Sequence, residues 1–110
     1  MIFYRILRTE RPTLAGFMSG AALGRPLATE TEEAMRLHSG ISVFATARQA
    51  ANHARQWPSL GSFIAVLDIS EGLPIYAERT THRRGHHTLW GSPAELMGRI
   101  VAVIPVADVR

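Results

Sequence analysis

The sequence contains neither cysteine nor lysine, and it has no long apolar run. Without cysteine, disulfides, thiolate catalysis and the usual structural zinc sites are excluded. Its apolar runs fall short of the roughly 18 residues that a membrane span needs, and the N-terminus lacks the charged region and cleavage site of a signal peptide. We therefore expect a cytoplasmic protein whose fold is held together by packing alone.

All 12 basic residues are arginines, and with nine acidic residues they give a net charge of +3. So small a net charge does not by itself predict nucleic-acid binding, and only the segment 79–84 is locally basic. Arg5 lies in the middle of a predicted strand, where an arginine either extends its head to the surface or aims it at a carboxylate or phosphate in a cleft. With 110 residues, of which 46% are hydrophobic, the chain predicts one folded domain spanning 1–110.

The stretch from Gly40 to Glu71 predicts a strand, a helix and a second strand in close succession. The first strand, 41–44, is β-branched and aromatic, and Thr46 then stands three residues before Gln49, the spacing of a capping box. The helix that follows has one apolar face of small side chains, so it can lie close to a sheet; these are Ala47, Ala50, Ala51 and Ala54. The second strand, 63–69, is apolar on both faces and is predicted to lie at the centre of the sheet.

Further strands and helices are predicted around this unit. The strands are 2–8, 74–78 and 100–106, of which 74–78 is an edge strand because it contains a proline. The helices begin at Pro12, after a Thr29 cap and after a Ser92 cap, and the first ends at Gly24. Because strands and helices do not alternate regularly, we predict a compact α+β domain with a mixed β-sheet and three to four short helices.

The segment 79–91 has no simple place in a core, because it holds three histidines, three arginines, two glycines and Trp90. His82 and His86 have the i, i+4 spacing of a helical metal pair. The intervening glycine disfavours a helix and the arginines repel a cation, so no metal site is predicted. An acid–base role for His86 or His87 stays open, since imidazole titrates near neutral pH.

The run GISVFATARQAANHA, residues 40–54, resembles the second conserved segment of ADP-ribosyltransferase folds, especially the poly-ADP-ribose-polymerase-like and RNA 2′-phosphotransferase-like branches. In these proteins a Gly-Ile or Gly-Leu strand leads into a helix rich in Ser and Ala, and then into an apolar strand, as at 64–69. The first strand of such folds bears a His or Arg, and Arg5 holds that place. The resemblance implies an ADP-ribosyltransferase-like fold that uses NAD, and it suggests a toxin or effector that modifies a protein or nucleic acid.

The resemblance also implies which residues do the chemistry. Cleaving the glycosidic bond of NAD creates an oxocarbenium-like ribose, which a nearby carboxylate orients and stabilises. Arg5 and Glu95 are the candidate catalytic residues, since Glu95 precedes the last strand. The candidate NAD-binding residues are Arg5, Ser42, Phe44, His86 and Trp90.

Two alternatives stay open. Glu95 is also placed to be the capping-box partner of Ser92, and Asp68 and Glu78 are weaker candidates for the carboxylate. Independently of any enzyme activity, the loop 79–91 would suit a non-catalytic module that binds a nucleotide, a nucleic acid or a protein partner, with arginines on phosphates and an aromatic ring on a base.

Overall fold

In the computed structural model, which describes residues 1–70, 74–80 and 84–110, the chain folds around one six-stranded β-sheet. The strands are β1 (Ile2–Leu7), β2 (Ile41–Phe44), β3 (Phe63–Asp68), β4 (Tyr76–Arg79), β5 (His86–Trp90) and β6 (Ile100–Pro105), in the order β4-β5-β2-β1-β3-β6. The helices are α1 (Glu32–His38), α2 (Ala47–Gln56) and α3 (Pro93–Met97), with 3₁₀ turns at Leu14–Phe17, Pro58–Leu60 and Val106–Asp108. The predicted α+β class is confirmed.

The described strands pair antiparallel throughout, so the prediction of a mixed sheet is wrong. In the structure β1 lies between β2 and β3 and pairs antiparallel with each of them. Strands β2 and β3 therefore run in the same direction without touching, which local sequence patterns do not reveal.

The small apolar face predicted for α2 is confirmed. Ala50, Ala51 and Ala54 are almost completely buried against Phe44 and Ile64 of the sheet. The Thr46 side chain accepts a hydrogen bond from the backbone N–H of Gln49, as the capping-box spacing indicated. Methyl groups let the helix axis approach the strands closely, so this face has no room for larger side chains.

The opposite face of the sheet is covered by Phe17 and Leu96, which pack against Phe3 and Leu67. Phe17 belongs to the 3₁₀ turn Leu14–Phe17, whereas the sequence predicted a longer helix from Pro12 to Gly24. That prediction is wrong. Glycines within the segment have low helix propensity, and the chain is already extended one residue after the turn.

Two smaller predictions also need correction. Helix α1 is capped by Thr31 rather than Thr29, and the Thr31 side chain accepts the N–H of Ala34. β3 is an interior strand but not the central one, because β1 and β2 occupy the middle. β6 forms the edge next to it, with Val101 63% exposed, although an apolar strand of this kind was expected to be covered on both faces.

None of the helices in the described ranges is long and apolar enough to cross a bilayer. The longest, α2, has 10 residues, whereas a spanning helix needs about 20. The cytoplasmic location stays a prediction.

Gly61 should tolerate no side chain. Its φ is 145°, and a Cβ there would overlap the backbone carbonyl of Leu7, which cannot move without disturbing β1. We expect Gly61→Ala to lower the free energy of unfolding by about 2 kcal/mol or more, measured by urea denaturation. Gly24→Ala is the matched control, because Gly24 also has positive φ, 71°, but nothing lies within 4 Å of a Cβ there. Its cost should be about 1 kcal/mol, and equal losses would contradict the steric argument.

Candidate functional site

β1 and β2 separate soon after they meet. Their register joins one residue pair, Tyr4 with Phe44, whereas β1 and β3 are joined by six pairs from Ile2–Asp68 to Leu7–Phe63. Beyond Tyr4 no further register pair joins β1 and β2 in the described chain, and the Arg5 side chain donates a hydrogen bond to the backbone of β2 at Ser42. The centre of the sheet is therefore held at this point by a charged side chain in place of a continuous backbone ladder.

The guanidinium of Arg5 is hydrogen-bonded to two distant backbone carbonyls. Nε and Nη2 donate to the oxygen of Gly16 at 3.2 and 3.1 Å, and Nη1 donates to the oxygen of Ser42 at 2.8 Å. These bonds use three of the five guanidinium N–H groups, which leaves two without a partner among the described residues. Arg5 thus joins β1 to the 3₁₀ turn and to β2 and keeps donors to spare.

Arg5 lines a cleft of about 610 Å³, which we call the Arg5 cleft. Its walls come from β1 and the residues after it, the 3₁₀ turn, the turn before α1, β2, α2 and the turn after α2. The lining residues are Arg5, Ile6, Leu7, Arg8, Thr9, Pro12, Thr13, Ala15, Gly16, Leu23, Arg25, Ser42, Phe44, His53 and Leu60. This volume is within the range of small-molecule sites.

The Arg5 cleft carries positive charge without compensating negative charge. Arg5, Arg8 and Arg25 line it, and no aspartate or glutamate does so among the residues that the structure describes. Burial, and next the positive charge of Arg25, lower the pKa of the Arg5 guanidinium from its ordinary value to about 10. Arg5 is still protonated at neutral pH, so the cleft offers a partly desolvated cation to an anion.

An aromatic surface lies in the same cleft. The rings of Phe44 and His53 are 5.1 Å apart between centroids and tilted by 43°. Both residues line the cleft, with Phe44 on β2 and His53 on α2. Phe44 is 4% exposed and His53 is half-buried, so the accessible part of this aromatic pair comes mainly from the His53 ring.

The structure brings three of the predicted site residues together, namely Arg5, Ser42 and Phe44. Ser42 contributes its backbone carbonyl to Arg5, while its side chain is on an exposed position of β2. The sequence analysis did not select Arg25 or His53. His53 lies three residues after Ala50 on α2, and this helical spacing would have indicated that it lies near the face of α2 that packs on the sheet. No local sequence pattern indicates Arg25.

His86 is buried beside the cleft and does not line it. Its Nδ1 lies 3.1 Å from both the hydroxyl and the carbonyl oxygen of Thr80, and the Thr80 hydroxyl bonds to that of Thr88 at 2.7 Å. The ring also meets Phe44 edge-on at 5.5 Å. His86 is part of strand β5, so its side chain is fixed within a buried polar cluster.

Trp90 is packed in a separate cluster at the other end of β5. Its Nε1 donates to the carbonyl of Arg36 at 3.1 Å, the Arg36 guanidinium lies 5.0 Å from the ring centroid, and the Tyr76 ring packs at 5.4 Å. Arg36 also pairs with Glu78 at 2.8 Å, which lowers the pKa of Glu78 through that hydrogen bond. This cluster supports the packing of α1 on the sheet.

The expected loop 79–91 is largely a strand, because β4 extends to Arg79 and β5 begins at His86. Thr81, His82 and Arg83, including the histidine considered as half of a metal pair, lie outside the described residues. Within the ranges that are described, no group of three or more His, Asp or Glu side chains is placed to hold a metal ion. Recognition of a nucleic acid or protein by this segment stays a prediction.

Glu95 lies on α3 and is not among the residues that line the Arg5 cleft. Its backbone N–H is accepted by the Ser92 side chain at 3.2 Å, and its carboxylate faces Arg99 at 3.6 Å. The capping role of Ser92 is thus confirmed. The alternative carboxylates Asp68 and Glu78 do not line the cleft either.

Comparisons of the chain with protein-family models, with curated proteins and with solved structures give no match in any of the three. The protein is therefore classified by its fold alone, as an α+β domain with an antiparallel sheet.

Replacing Arg5 by lysine should destabilise the fold. A single ammonium group cannot donate in parallel to Gly16 and also reach the carbonyl of Ser42. We expect Arg5→Lys to lower the free energy of unfolding by about 2 kcal/mol in urea denaturation. Arg11→Lys, at an exposed arginine on the neighbouring loop, should change it by less than about 0.5 kcal/mol. Similar values for the two variants would show that the bridge contributes little.

Proposed function

We propose that this domain binds a nucleotide through its phosphates in the Arg5 cleft, and that NAD is the ligand. The observation that carries the proposal is the guanidinium of Arg5, which is partly buried and, among the described residues, has two donors to spare and no carboxylate partner. A charged guanidinium in such a place is stabilised by a phosphate, whose oxygens match its planar donors.

The rest of the cleft suits the other parts of a nucleotide. Phe44 and His53 supply a ring surface, and Ile6 and Leu60 add apolar area. Threonine and serine hydroxyls on the lining are suitable partners for a sugar. A ligand with an anionic group and a flat ring would therefore find both complements within one cleft.

The choice of NAD within the nucleotide class comes from the resemblance of 40–54 to ADP-ribosyltransferase folds. The three residues that the resemblance implied on β1 and β2, Arg5, Ser42 and Phe44, meet at this cleft. Their meeting supports NAD as the first ligand to test. The acceptor, and a role as toxin or effector, rest on the resemblance alone.

ADP-ribosyl transfer or NAD hydrolysis is the activity that would follow from binding. Such chemistry needs a carboxylate beside the ribose. Glu95 stays the proposed candidate, but it pairs with Arg99 and does not line the cleft. Of the two parts of the proposal, binding has the stronger support from the described residues.

The decisive experiment measures NAD binding by titration calorimetry and free nicotinamide by chromatography on the same preparation. Arg5→Ala should weaken NAD binding by about tenfold or more, because a charge-assisted hydrogen bond to phosphate is lost. Glu95→Gln should leave binding unchanged and abolish any nicotinamide release.

Arg11→Ala is the control for net charge, since it removes an exposed arginine that does not line the cleft. Circular dichroism of each variant separates a lost site from a lost fold, because Arg5 also supports the sheet. NAD affinity that is absent in the wild type, or equal in Arg5→Ala and Arg11→Ala, would refute nucleotide binding at this cleft. Binding without release would refute the enzyme activity alone.

A further inference from the structure

Arg25 brings a second guanidinium to the Arg5 cleft from a different part of the chain. It ends a tight turn, residues 19–25, in which Leu23 N–H bonds to Ser19 O at 3.0 Å and Arg25 N–H to Gly20 O at 2.9 Å. Gly24, with φ of 71°, provides the bend. The backbone at Arg25 is therefore part of a closed, hydrogen-bonded turn.

This turn is fastened to α1 by His38. The ring Nε2 of His38 bonds to the carbonyl of Arg25 at 2.9 Å, and the backbone carbonyl of His38 accepts the N–H of Ala21 at 3.1 Å. Gly20 lies so close to the His38 ring that a Cβ there would overlap it. The backbone N–H of Arg25 is bonded to Gly20 and its carbonyl to His38. These two hydrogen bonds fix the position of the Arg25 backbone beside the cleft.

Arg5 and Arg25 line the same cleft. The charge of Arg25 contributes, after burial, to the lowered pKa of Arg5. Neither takes part in an ion pair with the described residues, in contrast to Arg36 and Arg99, each of which faces a glutamate. Holding two like charges together without a counter-ion costs free energy, which an anion between them would recover.

We infer that Arg5 and Arg25 form a two-arginine clamp that binds a phosphate group carrying two negative charges, as in a terminal phosphomonoester or a diphosphate. The inference rests on the proposed function and names the group that the same cleft recognises. A phosphomonoester carries a charge of about −1.5 to −2 at neutral pH, and a diphosphate bridge carries one charge on each phosphorus, whereas a single phosphodiester carries one in all. The clamp should therefore select ligands by phosphate charge.

The test compares AMP with cyclic AMP, which has the same base and sugar but a singly charged phosphodiester. In titration calorimetry at fixed ionic strength, the wild-type chain should bind AMP about tenfold or more tightly than cyclic AMP. NAD has a diphosphate and no terminal phosphate, so comparing it with AMP shows whether the clamp binds a phosphomonoester or a diphosphate. A higher affinity for AMP than for NAD identifies the phosphomonoester as the group bound, and the reverse identifies the diphosphate.

Arg25→Gln removes the second charge from an exposed side chain and keeps hydrogen-bonding capacity. We expect it to lower AMP affinity about tenfold and to bring AMP and cyclic AMP to within about twofold of each other. Arg25→Lys, which keeps the charge, should retain most of the preference. Arg11→Gln makes the same change in net charge outside the cleft and should leave the ratio of the two affinities unaltered.

The clamp is refuted if the wild type binds AMP and cyclic AMP with nearly equal affinity. It is also refuted if Arg25→Gln keeps the wild-type ratio of AMP affinity to cyclic AMP affinity. If Arg5-dependent NAD binding persists in that case, the proposed function stands without it. If no nucleotide binds at all, the proposed function fails, and the clamp is then tested by measuring the binding of inorganic pyrophosphate. Pyrophosphate binding that is lost in Arg25→Gln supports the clamp, and absence of binding to the wild type refutes it.

Discussion

The hydrogen bonds of one side chain, Arg5, determine how the middle of the sheet is built. β1 and β2 share a single register pair, and beyond it the guanidinium bonds to the carbonyls of Ser42 and Gly16. A charged group in this place costs desolvation free energy, which its hydrogen bonds to backbone oxygens offset. These bonds give the two carbonyls a donor at the point where the register pairing of β1 and β2 ends, and residues of both strands line the Arg5 cleft.

If the proposed nucleotide binds at Arg5, structural support and ligand binding depend on the same side chain. A ligand that binds only the folded chain raises its stability in proportion to the logarithm of ligand concentration over Kd. For an anion at Arg5, that affinity would include the compensation of a cation whose pKa is lowered to about 10 by burial and by Arg25. Loss of stability and loss of binding in Arg5 variants are therefore two effects of one cause, and only variants at Arg25, which carries no structural bond through its side chain in the described chain, separate them.

Local patterns in the sequence predicted local features of the structure. The alanine face of α2 and the caps at Thr46 and Ser92 depend on residues within a few positions of each other, and all are present. The strand order depends on long-range pairing, and the insertion of β1 between β2 and β3 has no local signal. Arg5, Ser42 and Phe44 were selected through the resemblance to ADP-ribosyltransferase folds, whereas Arg25 reaches the cleft through contacts of its turn with His38, which no local pattern indicates.

Selecting residues by side-chain type alone gave too many candidate functional residues in the second half of the chain. Four residues there have side chains that could bind a ligand or take part in catalysis, yet each is bonded within the protein. His86 bonds to Thr80 and Trp90 donates to the carbonyl of Arg36. Glu78 pairs with Arg36, and Glu95 pairs with Arg99. The arginines of the cleft differ in having donors or charge that the described residues leave unmatched. The chain has nine acidic residues, enough to pair them, and the fold directs none of the described ones to this cleft. A partly buried cation without a carboxylate partner among the described residues is the feature on which the proposal of an anionic ligand rests.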